Sequence, residues 1–356
     1  MKAAMFYNAK DIRIEDVKEP TPIGKQVKIQ VKWCGICGTD LHDYIDGPRQ
    51  VQHGEPHPLT GQMLPLPMGH EFSGVVVELG PDYDGDVKVG DKVTCDPCYY
   101  CKTCEPCRFG RYNSCEKLGF IGLASWGAFA EYMVAEDYQV YKMPEEMSFE
   151  QGAITEPACV ALHAIRRAGV SLGETVAVIG LGPIGLLAVQ CARAAGAAKI
   201  YGVDNQAKRL KGAIENGCTE VFNFEECDPV AEIKARTGGK GVHVAIDANG
   251  NNGSMQTAIN CTRHMGTVAM PGQSSSFTTD IMTQMNFPER KLVGSHVYNY
   301  EFDRCIPLIA DNRIKMESIV TSRILLDDIV EKGFEELINH PADHMKILVT
   351  PDASLL

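Results

Sequence analysis

The alternation of apolar and polar positions divides the chain into two parts. Up to about Ser148, short β-branched runs such as "QVKIQVKWCGI" and "EFSGVVVELG" are separated by glycine and proline, and long helical periodicity is absent. This pattern predicts an irregular, β-rich domain. Between Asp46 and Pro67 the chain has no apolar period, which predicts a loop; a loop of this length within a compact domain is usually functional.

After Ser148 the pattern changes to strands alternating with helices. Apolar residues recur at helical spacing in "EQGAITEPACVALHAIRRAG" and again in residues 184–195. Strand-like runs follow in "TVAVIG", "KIYGVD", "VHVAID", "GTVAMPG" and "KLVGSHV", with helix-length segments between the earlier ones. This alternation predicts an α/β fold with a doubly wound parallel sheet. From about Ser295 the pattern breaks up, and "MKILVT" is the last strand-like piece.

Length, composition and charge narrow the class of protein. A chain of 356 residues is long enough for two domains, and 44% hydrophobic with 22% charged residues is typical of a globular protein. The formal net charge of −12 argues against a nucleic-acid or anionic-membrane partner. Neither a signal-peptide pattern nor a continuous apolar span is found, so we expect a cytoplasmic protein whose cysteines are thiolate ligands rather than disulfides.

A glycine-rich turn follows the first strand of the α/β part. In "VAVIGLGPIG" an apolar strand runs into Gly180, Gly182 and Gly185, and Pro183 and Ile184 begin an apolar helix. Such a turn predicts a dinucleotide site, because the first glycine allows the tight turn and the second lets the pyrophosphate approach the backbone. The third lets the helix pack close to the sheet, with its N-terminal amides free for the anion.

An acidic residue at the end of the next strand predicts which dinucleotide binds. Asp204 closes "KIYGVD", where a carboxylate accepts hydrogen bonds from the ribose hydroxyls of NAD and repels a 2′-phosphate. Lys208 and Arg209 lie close by in the sequence and work against that preference. We therefore expect NAD as the cofactor, with Asp204 and Arg209 beside its ribose.

Cysteines are concentrated in one stretch, "CDPCYYCKTCEPCRFGRYNSC". The spacing of its last four differs from that of a ferredoxin-type cluster run, in which the last gap is short. Four thiolates on one loop suit a structural zinc, which is tetrahedral and stabilises a segment with little core of its own. Two further cysteines continue the three-residue step, so spacing alone leaves the register open. The six are Cys95, Cys98, Cys101, Cys104, Cys107 and Cys115.

A second set of potential ligands has mixed chemistry. "CGICGTDLH" supplies Cys37, "MGHEFSG" supplies His70 and Glu71, and "TEPACV" supplies Glu156. One thiolate, one imidazole and carboxylates leave room for water or substrate, as a catalytic zinc requires. Taken singly, each residue also has a structural explanation: a small core thiol, a satisfied buried histidine or a charge at a strand end.

These motifs, in this order, resemble the medium-chain zinc-dependent alcohol dehydrogenase family over nearly the whole chain. The resemblance is carried by "CGICGTDLH", "GHEFSG", the four-cysteine loop, "GAFAEY", "EPACVALHA" and "VIGLGPIG". It implies a GroES-like catalytic domain of residues 1–155 and 295–356, with both zinc sites, and a Rossmann NAD-binding domain of residues 156–294. It also implies a homodimer or homotetramer, and two zinc ions per subunit.

The resemblance further implies the role of each site residue. The structural zinc falls on Cys101, Cys104, Cys107 and Cys115, which leaves Cys95 and Cys98 unused. The catalytic zinc falls on Cys37 and His70 with Glu71 or Glu156, and Thr39 and His42 stand at the family's proton-relay positions.

The substrate follows from the branch of the family. The loop with "PHPLTGQMLPLPMGHEFSG" resembles the 2,3-butanediol dehydrogenase branch, which is close to sorbitol and threonine dehydrogenases. We therefore expect hydride transfer between NAD and a secondary alcohol, with a vicinal diol such as 2,3-butanediol as substrate and acetoin as product. The alternatives are sorbitol or xylitol, L-threonine, or a zinc-binding protein without enzymatic activity.

Overall fold

The computed structural model describes residues 1–273 and 276–356. Within them the strands, numbered along the chain, are β1 (Lys2–Asn8), β2 (Asp11–Asp16), β3 (Val27–Gly35), β4 (Leu66–Pro67), β5 (Glu71–Leu79), β6 (Lys92–Cys95), β7 (Cys98–Tyr99), β8 (Gly119–Phe120), β9 (Tyr132–Ala135), β10 (Val140–Lys142), β11 (Thr175–Ile179), β12 (Lys199–Asp204), β13 (Glu220–Asn223), β14 (Val242–Asp247), β15 (Thr262–Met270), β16 (Lys291–Gly294), β17 (Val320–Leu325) and β18 (Lys346–Thr350).

The α-helices are α1 (Gly38–Asp46), α2 (Glu105–Arg108), α3 (Phe149–Ala168), α4 (Pro183–Ala194), α5 (Ala207–Glu215), α6 (Pro229–Arg236), α7 (Asn252–Cys261), α8 (Phe302–Ala310) and α9 (Glu335–Asn339). Short 3₁₀ helices span Tyr112–Ser114, Asp137–Gln139, Leu326–Asp328 and Ala353–Leu355, and π-helices span Ile281–Asn286 and Ile329–Phe334. Among the described residues, no helix combines the length and the apolar character that crossing a membrane requires.

The chain forms two compact units. The first contains Met1–Glu156, Phe302–Ala310 and Val320–Leu356, and the second contains Pro157–Glu301 and Asp311–Ile319. This division differs from the domains expected from the sequence, because residues 295–301 and 311–319 belong to the second unit instead of the first, and Glu156 belongs to the first instead of the second. The polar turns and short elements of that region gave no pattern from which the exchange could be predicted.

The first unit is built on a seven-stranded sheet. Its strand order is β10-β6-β5-β3-β18-β17, and β9 also pairs with β3. A three-stranded sheet, β2-β1-β4, and the small β7-β8 pair complete the unit. Alternate residues of the strands enter one core, in which Phe6, Phe72, Phe129 and Phe334 are almost fully buried. The prediction of an irregular β-rich domain is confirmed.

The central strands of this sheet bring together segments that are far apart in the chain. β3 and β5 run antiparallel, with Gly35 opposite Glu71. On the other side of β3, β18 is also antiparallel, with Leu348 opposite Gly35. The C-terminal end of β3, the start of β5 and the start of β18 therefore meet at one place.

The second unit holds a six-stranded sheet in which every pair is parallel. Its order is β13-β12-β11-β14-β15-β16, with α4 to α7 along the crossovers. Numbered from β11, this is the 3-2-1-4-5-6 order of a doubly wound dinucleotide-binding fold. β11 and β14 are apolar and buried, as central strands covered on both faces must be. The predicted doubly wound sheet is confirmed.

Several elements had no counterpart in the sequence pattern, among them β13, β17 and α1. β13 is a four-residue edge strand, "EVFN", in which only Phe222 is buried. β17, "VTSRIL", alternates only weakly between buried and exposed positions. α1 is a nine-residue helix in the part expected to consist of strands and loops. Each is short or partly exposed, so tertiary pairing and packing determine it more than apolar periodicity does.

Candidate active site and metal centres

Cys37, His70 and Glu71 lie together where β3, β5 and α1 meet. Their ligand atoms, a thiol sulfur, a ring nitrogen and a carboxylate oxygen, lie within 4.8 Å of one another. Cys37 follows β3 and is the N-cap of α1, while His70 and Glu71 stand at the start of β5. The antiparallel β3–β5 register therefore unites residues that two separate motifs supplied.

Asp40, in the first turn of α1, supports two of these residues. One of its carboxylate oxygens accepts a hydrogen bond of 2.9 Å from the backbone N–H of Cys37. The other lies 3.6 Å from Nδ1 of His70, and Asp40 is completely buried. Burial lowers the pKa of His70, but the charges of Asp40 and Cys37 raise it by more, so the net shift is well upward. These two atoms are too far apart for a hydrogen bond in the structure, but a carboxylate behind an imidazole is the arrangement that orients a ligating histidine.

Lys346, the first residue of β18, forms an ion pair with Glu71. Its Nζ donates to both carboxylate oxygens of Glu71 at 2.7 Å and to the carbonyl oxygen of Ile36 at 3.0 Å. Burial lowers the pKa of Lys346, but the charges around it, those of Glu71, Cys37 and Glu156, raise it by more, so the ammonium stays charged.

The structure places the other predicted residues of this site at different distances from it. Glu156, in α3, is 5% exposed and close enough to influence Lys346, but it is outside the group of Cys37, His70 and Glu71. The hydroxyl oxygen of Thr39 lies 3.6 Å from Sγ of Cys37. His42 is exposed on α1.

Buried charge provides a test of whether a metal fits this site. Three buried carboxylates, those of Asp40, Glu71 and Glu156, lie with the sulfur of Cys37 around a single buried ammonium, that of Lys346. The upward shift in the pKa of His70 reflects the same excess of acidic groups. Buried anions need compensation, and a divalent cation supplies most of what is missing. One sulfur, one imidazole nitrogen and carboxylate oxygens form a donor set that zinc accepts, with a coordination position left for a small ligand. The residues therefore fit zinc.

The four-cysteine loop is a second potential metal centre. The sulfur atoms of its four cysteines lie within 4.8 Å of one another. Backbone N–H groups of Cys101 and Lys117 point to Sγ of Cys115 at 3.2 and 3.4 Å. The hydroxyl of Thr103, with nearby amides, lowers the pKa of Cys101 to about 5. Burial raises the pKa of Cys107 to about 12 and also raises that of Cys115, so the compact group of four sulfurs, more than these donors, is what suits a closed tetrahedral zinc site. Its members are Cys101, Cys104, Cys107 and Cys115.

Cys95 and Cys98 are separate from that group. Both are fully buried, and they lie at the end of β6 and the start of β7. Burial raises the pKa of Cys95 well above its ordinary value, so it is a core thiol. The four sulfurs that the structure brings together are those of the register that the family pattern implied. All fourteen cysteines carry free thiols.

The glycine-rich turn has the geometry that a dinucleotide needs. Gly180 has a φ of +87°, which favours glycine, and a Cβ on Gly185 would lie 1.9 Å from the carbonyl oxygen of Gly180. Gly182, by contrast, is the N-cap of α4, and a Cβ there would meet no atom within 4 Å. The fold thus requires Gly180 and Gly185, while Gly182 keeps open space above the helix N-terminus, where a pyrophosphate fits.

Asp204 stands at the end of β12, beside this turn. Its carboxylate accepts hydrogen bonds from the backbone N–H groups of Leu181 at 2.7 Å, Asn205 at 2.8 Å and Gln206 at 2.9 Å. Arg209 approaches it with a 3.9 Å separation between charged atoms. Asp204 therefore fixes the turn and still has lone pairs for further hydrogen bonds.

These two features, a Rossmann unit with an open glycine turn and a β-rich unit with two groups of metal ligands, define a class of protein. The model of the GroES-like domain of alcohol dehydrogenases matches residues 24–145, and the zinc-binding dehydrogenase model matches residues 183–311. The chain belongs to the zinc-binding alcohol dehydrogenase family and is an oxidoreductase.

Within that family the chain is similar to enzymes for diols and polyols. It is 40% identical to an (R,R)-butanediol dehydrogenase of Bacillus subtilis, over 99% of this chain and 100% of that relative. It is 36% identical to an (R,R)-butanediol dehydrogenase of Neisseria gonorrhoeae, over 99% and 100%. A sorbitol dehydrogenase of Bacillus subtilis is 32% identical, over 99% and 98%.

Solved structures give the same relationship. The crystal structure of 2R,3R-butanediol dehydrogenase from Bacillus subtilis has a TM-score of 0.93 and 40% identity, with 99% of both chains covered. A zinc-binding dehydrogenase from Sinorhizobium meliloti, bound to NADP, has a TM-score of 0.88 and 31% identity, with 98% of this chain and 99% of that chain covered. The predicted fold and family are confirmed.

Proposed function

We propose that this protein is an NAD-dependent zinc dehydrogenase that interconverts 2,3-butanediol and acetoin. The observation that carries the proposal is the mixed ligand group of Cys37, His70 and Glu71, in a chain similar over its full length to butanediol dehydrogenases. An all-thiol site would be closed to substrate, whereas this donor set leaves a position for an alcohol oxygen.

The residues divide into a catalytic centre and a structural one. Cys37 and His70, with Glu71 or Glu156, would hold the catalytic zinc, and the four-cysteine loop would hold the second zinc. When bound, the catalytic zinc would polarise an alcohol hydroxyl, and NAD would accept the hydride.

The chain's own side chains orient groups and move the proton. Asp40 holds the Cys37 backbone through a hydrogen bond, and its other carboxylate oxygen, 3.6 Å from Nδ1 of His70, would orient the ring of a zinc-bound histidine. The proton of the alcohol leaves through the hydroxyl of Thr39, which lies near Cys37, and then through His42, which is exposed to solvent. Glu71 and Glu156 are alternative acceptors for a proton delivered through water.

The cofactor would lie over Gly182 with its pyrophosphate at the N-terminus of α4. Pro183 and Ile184 begin that helix, and Asp204 would accept hydrogen bonds from the adenosine ribose. Because the Asp204 carboxylate repels a 2′-phosphate, NAD is preferred. Arg209 reduces this preference, since its guanidinium lies 3.9 Å from Asp204.

The test is a substrate panel followed by NADH absorbance. We expect the zinc-loaded protein to oxidise (2R,3R)-2,3-butanediol with NAD far faster than ethanol, and to use NADP less efficiently. A preference for sorbitol or xylitol would show that the proposed substrate is wrong but leave the proposed hydride transfer unchanged. The similarity to a sorbitol dehydrogenase makes this the second candidate. Turnover of L-threonine would do the same. No turnover of any alcohol would contradict the proposal.

Assembly and location complete the proposal. β16 pairs with β15 alone among the described strands and leaves an edge free. Large apolar side chains around it are exposed: Met265 by 69%, Ile281 by 56%, Met282 by 66% and Phe287 by 76%. Edge strands with exposed apolar neighbours are usually covered, and a second copy would do so in a homodimer or homotetramer. The free thiols fit a cytoplasmic protein.

A further inference from the structure

Lys346 is a buried lysine whose ammonium group has an acceptor for each of its three donors. Its side chain is 4% exposed and that of Glu71 is 1% exposed. A lysine ammonium has three donors, and here the two carboxylate oxygens of Glu71 and the carbonyl oxygen of Ile36 are its acceptors. The two charges are 275 residues apart in the chain, so only the sheet brings them together.

The space for this ion pair is made by a glycine on the strand between them. β5 and β18 flank β3, and the pair crosses β3 at Gly35. A Cβ on Gly35 would lie 2.3 Å from a carboxylate oxygen of Glu71 and 3.3 Å from Cδ of Lys346. Any side chain at this position would displace the ion pair. The space above Gly35, which we call the slot over Gly35, therefore exists only because residue 35 is glycine.

The same carboxylate is the one that lies within ligand distance of Cys37 and His70. A carboxylate whose two oxygens both accept hydrogen bonds from an ammonium has less charge to give to a metal ion. Without that ammonium, the buried carboxylate would be uncompensated, and the nearest cation would be the zinc.

We propose that Lys346 is a positioning residue that holds Glu71 in the slot over Gly35 and thereby limits how firmly Glu71 binds the catalytic zinc. The proposal rests on the proposed catalytic zinc at Cys37 and His70. While Lys346 holds the Glu71 carboxylate, one coordination position of the zinc would stay accessible to the substrate oxygen. The negative charge of Glu71 would still lie beside the metal.

The test measures how fast a chelator removes the catalytic zinc, which is identified as the ion missing from Cys37→Ser. We expect Lys346→Met to slow this removal about 10-fold, the lower end of what groups behind a metal ligand contribute, and to reduce kcat. Lys346→Arg keeps the charge and should remain close to the wild-type rate. Gly35→Ala keeps both charges but displaces the pair, and should slow removal as Lys346→Met does.

Two further variants make the test specific. In a Glu71→Gln background, Lys346→Met should leave the rate of zinc removal nearly unchanged, because the carboxylate on which Lys346 acts is no longer present. Lys28→Met is the matched control: Lys28 is another buried lysine on the same sheet, paired with Glu19 and Glu78 away from the site, and its loss should not affect zinc.

The outcomes separate this proposal from the one it rests on. Two results would overturn the role of Lys346 and leave the proposed function standing. One is that Lys346→Met changes the rate of zinc removal equally with Glu71 and with Gln at position 71; the other is that it has no effect on that rate in a folded protein with two zinc ions. If Lys346→Met does not fold, the same comparison with Gly35→Ala decides. A wild-type protein with zinc only at the four-cysteine loop would overturn the proposed function itself.

Discussion

The four-cysteine loop and the site around Cys37 both present a compact group of ligands, but they are built differently. The loop takes all four sulfurs from one short segment, and three of its cysteines are partly exposed. The other site takes Cys37 from the N-cap of α1, just after β3, and His70 with Glu71 from the start of β5, and buried charges surround it. The first is assembled by local spacing, and the second by strand register.

This difference corresponds to different tasks. Four thiolates would saturate a tetrahedral zinc and leave no position for substrate, so the role we propose for the loop is to stabilise the fold. In the proposed catalytic site, one thiolate and one imidazole, with the Glu71 carboxylate shared between zinc and Lys346, would leave a position that an alcohol can occupy. Removing the zinc at Cys37 should therefore abolish catalysis with the fold retained. Removing the zinc at the four-cysteine loop should lower stability, with little effect on the activity of the molecules that remain folded.

The largest expected effect comes from the Cys37 site. Cys37→Ser should reduce kcat/KM by roughly 10³-fold or more, because the metal supplies several kcal/mol of transition-state stabilisation. The melting temperature should change little, and metal analysis should find one zinc per chain in place of two. A variant that keeps most of its activity would show that the two centres have been assigned to the wrong tasks.

The opposite variant, Cys107→Ser, should affect stability first. Loss of the loop's zinc is expected to cost about 4 kcal/mol, among the larger effects of single substitutions, and to lower the melting temperature by roughly 10 °C. At low temperature, kcat per folded molecule should remain within a few-fold of the wild type. Calorimetry with parallel NADH assays measures both, and an unchanged melting temperature would contradict a structural role.

Asp40→Asn should have an intermediate effect limited to the catalytic centre. An amide does not hold the His70 ring as a carboxylate does, so zinc affinity at Cys37 and activity should fall about 10–100-fold. Zinc retention at the loop should not change. Metal competition with a chromogenic chelator distinguishes the two ions, and equal weakening of both would indicate general destabilisation instead.

The smallest effect is expected at the two extra cysteines. Cys98→Ser should leave two zinc ions per chain and normal kcat, with a stability cost of about 1–2 kcal/mol for a polar atom in a buried position. Zinc analysis and chemical denaturation check this. Loss of one zinc would show that the register of the loop includes Cys98.

The comparison also explains what the sequence could and could not predict. The glycine turn at Gly180 and the four-cysteine loop are local patterns, so spacing located both, although the choice of four cysteines among six came from the family resemblance. The support around Cys37 is not local: Asp40 lies in a helix that the sequence pattern did not predict, and Lys346 lies in "MKILVT", which the pattern identified only as a strand-like piece. Only the β5-β3-β18 pairing shows that Lys346 faces Glu71.

The division into units was missed for a similar reason. Residues 311–319 join the second unit although they stand between α8 and β17 of the first. Side chains anchor them there: the side-chain amide of Gln190 donates to the carbonyl oxygen of Lys315 at 3.0 Å, and that of Asn216 donates to the hydroxyl of Ser318 at 2.6 Å. Such polar contacts between distant residues leave no periodic pattern in the sequence.

The most direct test of the account is X-ray absorption at the zinc edge on the purified wild-type protein. Two unlike centres, one with four sulfurs and one with a single sulfur and lighter ligands, predict two zinc ions per chain and an average of about two to three sulfurs per ion. In Cys37→Ser the average should rise to about four. One zinc in the wild type, already bound by four sulfurs, would contradict the assignment of a catalytic metal to Cys37, His70 and Glu71.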